Sequence, residues 1–238
     1  HAATGKSAPM AAVLGTSIVR VFGATAGLTG LTEKLAARVG IPARSVIVTA
    51  NHHAGYYPGA QPMRLKLVYS PADGKVLGAQ AVGGEGVDKR LDVIATAMHF
   101  GGTVRDLAGL DLAYAPPFGS AKDPVHMAAF AACNELDGAV RFLPPHADLA
   151  GLQVVDVRSP AEIASKPLPA APGAINIPLD ELRRRMGELD RLKPTVASCA
   201  SGLRSYNAAR ILREHGFDDA ASLTGGQLLR EIALDDRV

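Results

Sequence analysis

The sequence predicts two domains of different kind. An α+β domain, an antiparallel sheet with helices, is expected over residues 1–135, and an α/β domain, a parallel sheet with helices on both faces, over residues 151–238; residues 136–150 join them as a linker. Three observations carry this expectation. The 238 residues, 47% of them hydrophobic, are enough for two ordinary cores. In the first half, an alternating run from Met63 to Tyr69 is turned by Pro71-Ala-Asp-Gly74 into a second apolar run, the pattern of an antiparallel hairpin. In the second half, short unbroken apolar runs alternate with helical ones, as in an open parallel sheet.

Taken in order, Gly15 to Phe22 is β-branched and bounded by glycine, which predicts a strand after an extended lead-in. Leu31 to Val39 predicts a short helix, stopped by Gly40 with Pro42 beyond, and Ser45 to Thr49 a returning strand. Met63, Leu65, Leu67 and Tyr69 then share one face of a half-buried strand, and Lys75 to Val82 is its hairpin partner. Asp88 is expected to cap a helix in which Leu91, Ile94, Ala95 and Met98 follow helical spacing until Gly101 and Gly102 end it. A second helix starts at Asp123, with Pro124 in its first turn, and runs to about Glu135. Asp137-Gly138 and Pro144-Pro145 mark the linker. Beyond it, Thr195 to Ala197 reads as a buried strand and Leu203 to His215 as the helix that follows.

Composition narrows the function. A formal charge of +2 gives no basic imbalance, and the one cluster, Arg183-Arg-Arg185, is followed by Glu188 and Asp190 as on a solvated helix face, so no nucleic-acid partner is expected. Ala11 to Gly30 is interrupted by Arg20 and by several Gly and Thr residues, which predicts neither a membrane span nor a signal segment. Two cysteines, at 133 and 199, make no disulfide framework, so a reduced cytoplasmic setting is expected. His52 and His53 are adjacent with no third ligand, so no metal is expected. The chain opens on His1, which points to a trimmed chain or to the C-terminal part of something longer.

The chemistry centres on Cys199, in Thr195-Val-Ala-Ser-Cys-Ala-Ser-Gly-Leu-Arg-Ser205, between a strand end and a helix start. Unpaired N–H groups and the helix dipole favour a thiolate there. Arg204, five residues on, adds a permanent cation. The intervening Ala200, Ser201, Gly202 and Leu203 make a small ring of amides, sized for one extra sulfur atom and tighter than a phosphate needs. Ser205 is expected to cap the helix, and Asp156 and Arg158 to brace the loop as a charge pair. Cys133, on a helix among alanines, is expected to be core.

The loop resembles the active loop of the rhodanese family. Val154-Val-Asp-Val-Arg-Ser-Pro-Ala-Glu162, Pro172-Gly-Ala-Ile-Asn-Ile-Pro178 and Leu223-Thr-Gly-Gly226 agree with it in order. The resemblance implies a cysteine that takes sulfane sulfur as a persulfide and passes it to a thiol, with the loop amides and Arg204 steadying charge. Ala200 departs from the basic or polar residue often found after such a cysteine. Less local charge favours an uncharged thiol persulfide over the dianion thiosulfate.

In the first half, His53-Ala-Gly-Tyr-Tyr-Pro-Gly59, Gly83 to Ile94 and Leu112-Ala-Tyr-Ala-Pro-Pro-Phe-Gly-Ser-Ala-Lys-Asp-Pro124 resemble the dimerisation domain of the pyridine nucleotide-disulfide oxidoreductases, in its coenzyme A-disulfide reductase branch. The match covers nearly all of residues 13–133. The whole chain is similar to the C-terminal half of a rhodanese-fused coenzyme A-disulfide or NAD(P)H-dependent persulfide reductase. That implies a cytoplasmic homodimer using FAD, NAD(P)H and coenzyme A, acting on small thiol, disulfide or persulfide substrates, with none of these cofactors bound to this fragment alone. Gly83-Gly-Glu-Gly86 lacks the spacing of a dinucleotide fingerprint. By the same resemblance Tyr114 and Tyr56 reach across the dimer to assist proton transfer, or else pack the interface as amphipathic rings. Lys122 and Asp123 belong to that segment too, either flavin-side or structural, Asp123 as a helix cap. A second reading of the chain is a non-catalytic module that senses sulfur status on a dimerisation platform.

Overall fold

The computed structural model describes residues 13–166 and 173–235, so residues 1–12 of the first expected domain, Pro172 of the second rhodanese-like stretch and the last three residues lie outside the described residues. The chain opens on a hairpin of β1 (Ser17–Val21) and β2 (Ala24–Gly30), turning at Phe22, a non-glycine residue at φ +53°. Next come α1 (Glu33–Arg38), β3 (Arg44–Asn51), β4 (Pro62–Tyr69), β5 (Val76–Gly83), α2 (Val87–His99), α3 (Val104–Ala108) and α4 (Pro124–Leu136). The strands form one antiparallel sheet in the order β1-β2-β5-β4-β3. Met63, Leu65, Leu67 and Tyr69 of β4 are buried with Ala79, Ala81, Leu91 and Ile94, the core that the alternation predicts.

Strand β2 went unread, and its composition explains why. A Cβ on Gly27 would stand 2.5 Å from Leu91 Cδ1, and one on Gly30 2.4 Å from Met98 Cε, so the glycines that hide the strand from a propensity reading let α2 close onto the sheet. Asp88 does not cap α2. The cap residue is Gly86 at φ +72°, with no side-chain cap, and Asp88 sits in the first turn, where its charge suits the helix dipole. Thr103 and Asp106 form a capping box that starts α3, a helix the sequence reading missed.

The second unit contains β6 (Phe142–Leu143), β7 (Gln153–Asp156), α5 (Pro160–Ser165), β8 (Ile175–Asn176), α6 (Leu182–Arg185), β9 (Thr195–Ser198), α7 (Leu203–Glu214), β10 (Ala220–Leu223) and α8 (Gly226–Asp235). Its sheet is wholly parallel, in the order β6-β10-β9-β7-β8. Val155 and Ala197 pack one face with Ala208 and Leu212 of α7, while Val154 and Val196 pack the other with Leu149 and Leu223. The segment read as linker is therefore more than a connection. It supplies β6, the edge strand of this sheet, which at two residues is too short to show any period.

The units meet along β3 and α4. Thr224 Oγ1 accepts from Ile47 N at 3.0 Å and donates to Ile47 O at 3.2 Å. Asn134 Nδ2 donates to the Tyr206 hydroxyl at 2.7 Å, and within the second unit the Tyr206 ring stacks on Phe142 of β6. No helix among the described residues is long and apolar enough to cross a membrane.

Candidate functional site

Strand β9 delivers Cys199 from the middle of the parallel sheet, and α7 begins four residues later behind Gly202. Gly202 holds φ +107°, and a side chain there would crowd Gly225 N at 3.0 Å. The backbone N–H groups of Gly202 and Ser205 donate to Cys199 Sγ at 3.2 and 3.3 Å. On the other side of the loop, the Cys199 and Ala200 carbonyls accept from Gln227 N at 2.8 Å and Leu228 N at 3.1 Å, so α8 satisfies its first-turn amides with the loop itself. Each peptide is planar, so the N–H groups of Ala200 and Ser201 are turned away from α8. A Cβ on Gly226 would stand 2.4 Å from Cys199 O, and only glycine fits that approach. The result is a cup of amide donors around one sulfur atom, able to stabilise negative charge on it.

Ser205 is not the helix cap. The cap residue is Gly202, and Ser205 lies in the first turn, its Oγ donating to Gly202 O at 2.9 Å and accepting from Ser222 Oγ at 3.1 Å. Leu203 is exposed, while Ala200 and Ser201 are half-buried at the loop surface.

Arg204 differs from expectation in its partner. Its guanidinium forms a two-pronged pair with Glu162, at 2.7 and 2.6 Å, and makes no hydrogen bond to the sulfur among the described residues. Glu162 raises Arg204 further above its usual range, with the nearby Cys199 adding to that. The same bond, helped by Ser159 N, holds the Glu162 carboxyl at about 2. Sequence reasoning missed Glu162 in this role, although Ser159-Pro-Ala-Glu162 is a legible capping box and the structure shows it as one. Because the folded value is depressed, the pair contributes stability above about pH 4.5 and loses it as pH falls through about 2. The contribution is small, since the Glu162 side chain is 42% exposed. Glu162→Gln releases Arg204 toward the loop, and sulfur-transfer assays should then show thiosulfate turnover rising severalfold, about 1 kcal/mol, with little change for an uncharged persulfide. Equal change for both donors would show that Arg204 does not set charge at the sulfur.

Asp156 and Arg158 are buried and paired at 2.7 Å. Arg158 Nη1 also donates to Lys166 O, and Asn176 Nδ2 to the carbonyls of Asp156 and Arg158. They brace the chain around α5 and β8, and the donor atoms at Cys199 Sγ come from elsewhere.

In the first unit the structure brings Tyr56 and Tyr114 together. The neighbouring Tyr114 phenol raises the Tyr56 hydroxyl above its ordinary value, and both side chains are exposed. The two loops are held by a buried knot that sequence reasoning overlooked. Arg90, 2% exposed, pairs with Asp123 at 2.6 Å and donates to His52 O at 2.6 Å and Gly86 O at 3.2 Å. Ala54 N donates to Gly119 O at 2.9 Å, tying one tyrosine loop to the other. A signal existed: Arg90 falls in the apolar stripe of α2, between Val87 and Ile94. Asp123 caps α4 through Val125 N as expected, while also serving Arg90. Lys122 is exposed beside it. Cys133 is partly buried against the core, and burial pushes its thiol up.

The described residues do not build a dinucleotide cradle. The glycine turn from β5 into α2 leads out of an antiparallel sheet, and the Arg90 guanidinium occupies the space beside Gly86.

Comparison with known proteins agrees with this division. Residues 16–125 match the family model of the pyridine nucleotide-disulphide oxidoreductase dimerisation domain, and residues 145–227 that of the rhodanese-like domain. The Staphylococcus aureus coenzyme A disulfide reductase is 39% identical over 119 residues, half of this chain and 27% of that protein. The crystal structure of reduced Bacillus anthracis CoADR-RHD superposes with a TM-score of 0.88 at 45% identity, over 94% of this chain and 40% of that one. A NAD-dependent persulfide reductase from A. fulgidus gives 0.85 at 40% identity, over 95% and 41%. The chain thus spans about two-fifths of these structures and about a quarter of the curated relative.

Proposed function

We propose that this chain, which joins a pyridine nucleotide-disulphide oxidoreductase dimerisation domain to a rhodanese-like domain, is the C-terminal part of a flavin-dependent coenzyme A-disulfide or persulfide reductase and carries sulfane sulfur on Cys199. The observation that carries the reading is the convergence of the Gly202 and Ser205 amides on Cys199 Sγ. Cys199 is 1% exposed, so once it takes up a sulfur atom the outer sulfur is the end a second thiol reaches. The first unit dimerises the protein and presents Tyr56 and Tyr114 as proton donors to a leaving thiolate. FAD and NAD(P)H are held by parts of the parent protein beyond this sequence, and the setting is cytoplasmic.

The test is direct. After treatment with an alkyl persulfide, the Cys199 peptide should gain the mass of one sulfur atom and lose it to cyanide. Absence of that adduct, with Cys199 reduced and the fold intact, would leave the sensing reading in its place. Donor preference gives a second check. Ala200→Arg places a second cation within about 6 Å of a bound dianion and should raise thiosulfate turnover by about fivefold, ~1 kcal/mol. An equal gain for an uncharged persulfide would remove charge as the cause.

A further inference from the structure

A cavity of about 370 Å³ lies between the two units, against the loop that holds Cys199. Its walls are Ile47 and Thr49 of β3, Met127 and Phe130 of α4, and Ser201 and Gly202 of the loop. Gly202 is shared, for its amide also donates to Cys199 Sγ. We propose that this cavity binds the body of the thiol that exchanges sulfur with Cys199, and that this body is an aliphatic chain ending in a carboxylate. The proposal rests on the sulfur-transfer reading above and names the class of acceptor that reading leaves open.

Three features specify the ligand. The volume is at the small end of the roughly 300–1,000 Å³ typical of ligand pockets, which suits one chain and not a large ring system. The wall is mostly aliphatic and aromatic, so the matching body is apolar. Several polar side chains interrupt that wall, among them Asn134, Tyr206 and Thr224, which are bonded within the protein, and two others point to the ligand. Among the described residues, Thr49 Oγ1 is buried without a hydrogen-bond partner, a state a bound acceptor atom relieves, and Lys122 is the one charged residue of the lining. An acceptor group carrying negative charge answers both. The cavity stays open because the units are pinned beside it by the Thr224–Ile47 and Asn134–Tyr206 bonds.

The step balances. The acceptor's thiol gives its proton to solvent, its sulfur attacks the outer sulfur of the Cys199 persulfide, and a new S–S bond forms. The old S–S bond breaks with its electron pair returning to Cys199 Sγ, and the acceptor leaves as a persulfide with no external oxidant or reductant.

The test uses ω-mercaptocarboxylates of two to ten carbons as acceptors, with cyanide as the small acceptor and thiosulfate as donor. kcat/KM should rise about fourfold per methylene until the cavity is filled. Ala131→Phe, which adds a ring to the lining, should flatten that dependence, lowering the ratio of the eight-carbon to the two-carbon acceptor at least thirtyfold. Lys122→Gln, at an exposed residue where folding is not in question, should abolish the preference for the carboxylate over its methyl ester. A flat chain-length series in wild type, with cyanide turnover intact, overturns the proposal and leaves the sulfur-transfer reading standing. Where cyanide turnover itself is absent, the transfer reading fails, and calorimetric titration with 8-hydroxyoctanoate decides the cavity alone. Binding that Ala131→Phe or Lys122→Gln weakens supports the site, and no binding to wild type overturns it.

Discussion

Cys199→Ser should reduce persulfide formation and sulfur transfer to the protein-free background, while Cys133→Ser leaves both unchanged. Serine keeps the volume and the two backbone donors, so the amide cup survives; what is lost is a nucleophile able to form and release an S–S bond. Cys133 provides the contrast, since it sits partly buried on α4 with its thiol pushed up by burial, and among the described residues no amide donor from outside its own helix is bonded to it. Mass spectrometry of both variants after persulfide treatment, beside a cyanide assay, decides the matter. Retained activity in Cys199→Ser would end the sulfurtransferase reading outright.

Arg90→Met should destabilise the first unit by about 3–5 kcal/mol, because it leaves the Asp123 carboxylate buried without its cation. His52 O and Gly86 O lose a donor in the same change. For a unit of this size that corresponds to a fall in melting midpoint of roughly 10–20 °C. The double variant Arg90→Met with Asp123→Leu should recover much of the loss, since an apolar pair removes the orphaned charge, although the cap on Val125 N, about 1 kcal/mol, stays missing. Calorimetry on wild type, single and double variants is the measurement. A single variant within about 1 kcal/mol of wild type would mean that water reaches the Asp123 carboxylate and the knot is not closed. Loosening it should also separate Tyr56 from Tyr114, seen as a fall of the Tyr56 titration toward its ordinary phenol value.

What the sequence discloses here depends on how local the cause is. The strand from Met63 to Tyr69 alternates because one face is core and the other is not, so its neighbours in sequence are enough to read it. The Cys199 loop is legible for a similar reason: strand, turn glycine and helix follow one another within a dozen residues. Strand β2 is illegible because its glycines answer to α2, which lies far along the chain. Arg204 is visible as a cation, but its partner is 42 residues away, and no spacing rule links them. Likewise the tyrosine pair and the interdomain cavity are assembled from segments that meet only after folding. Family resemblance points to the tyrosines; it runs through Arg90 without giving it a role, and the place of Arg90 in an apolar stripe is the clue.

The pair of hydrogen bonds between Thr224 and Ile47 bears on how sulfur would leave Cys199 under the proposed function. Thr224 precedes the two glycines on which the Cys199 loop rests, and Ile47 belongs to a strand of the other sheet, so the floor of the cup is fastened to its neighbour. With the Asn134–Tyr206 bond alongside, swinging one unit away from the other would break both sets of contacts at once. In transport terms the cysteine is a fixed station and not a moving arm. Under the proposed function, sulfur loaded there would depart on a diffusing molecule, and the traffic between this station and any second reaction centre would be set by how fast that molecule loads, travels and unloads.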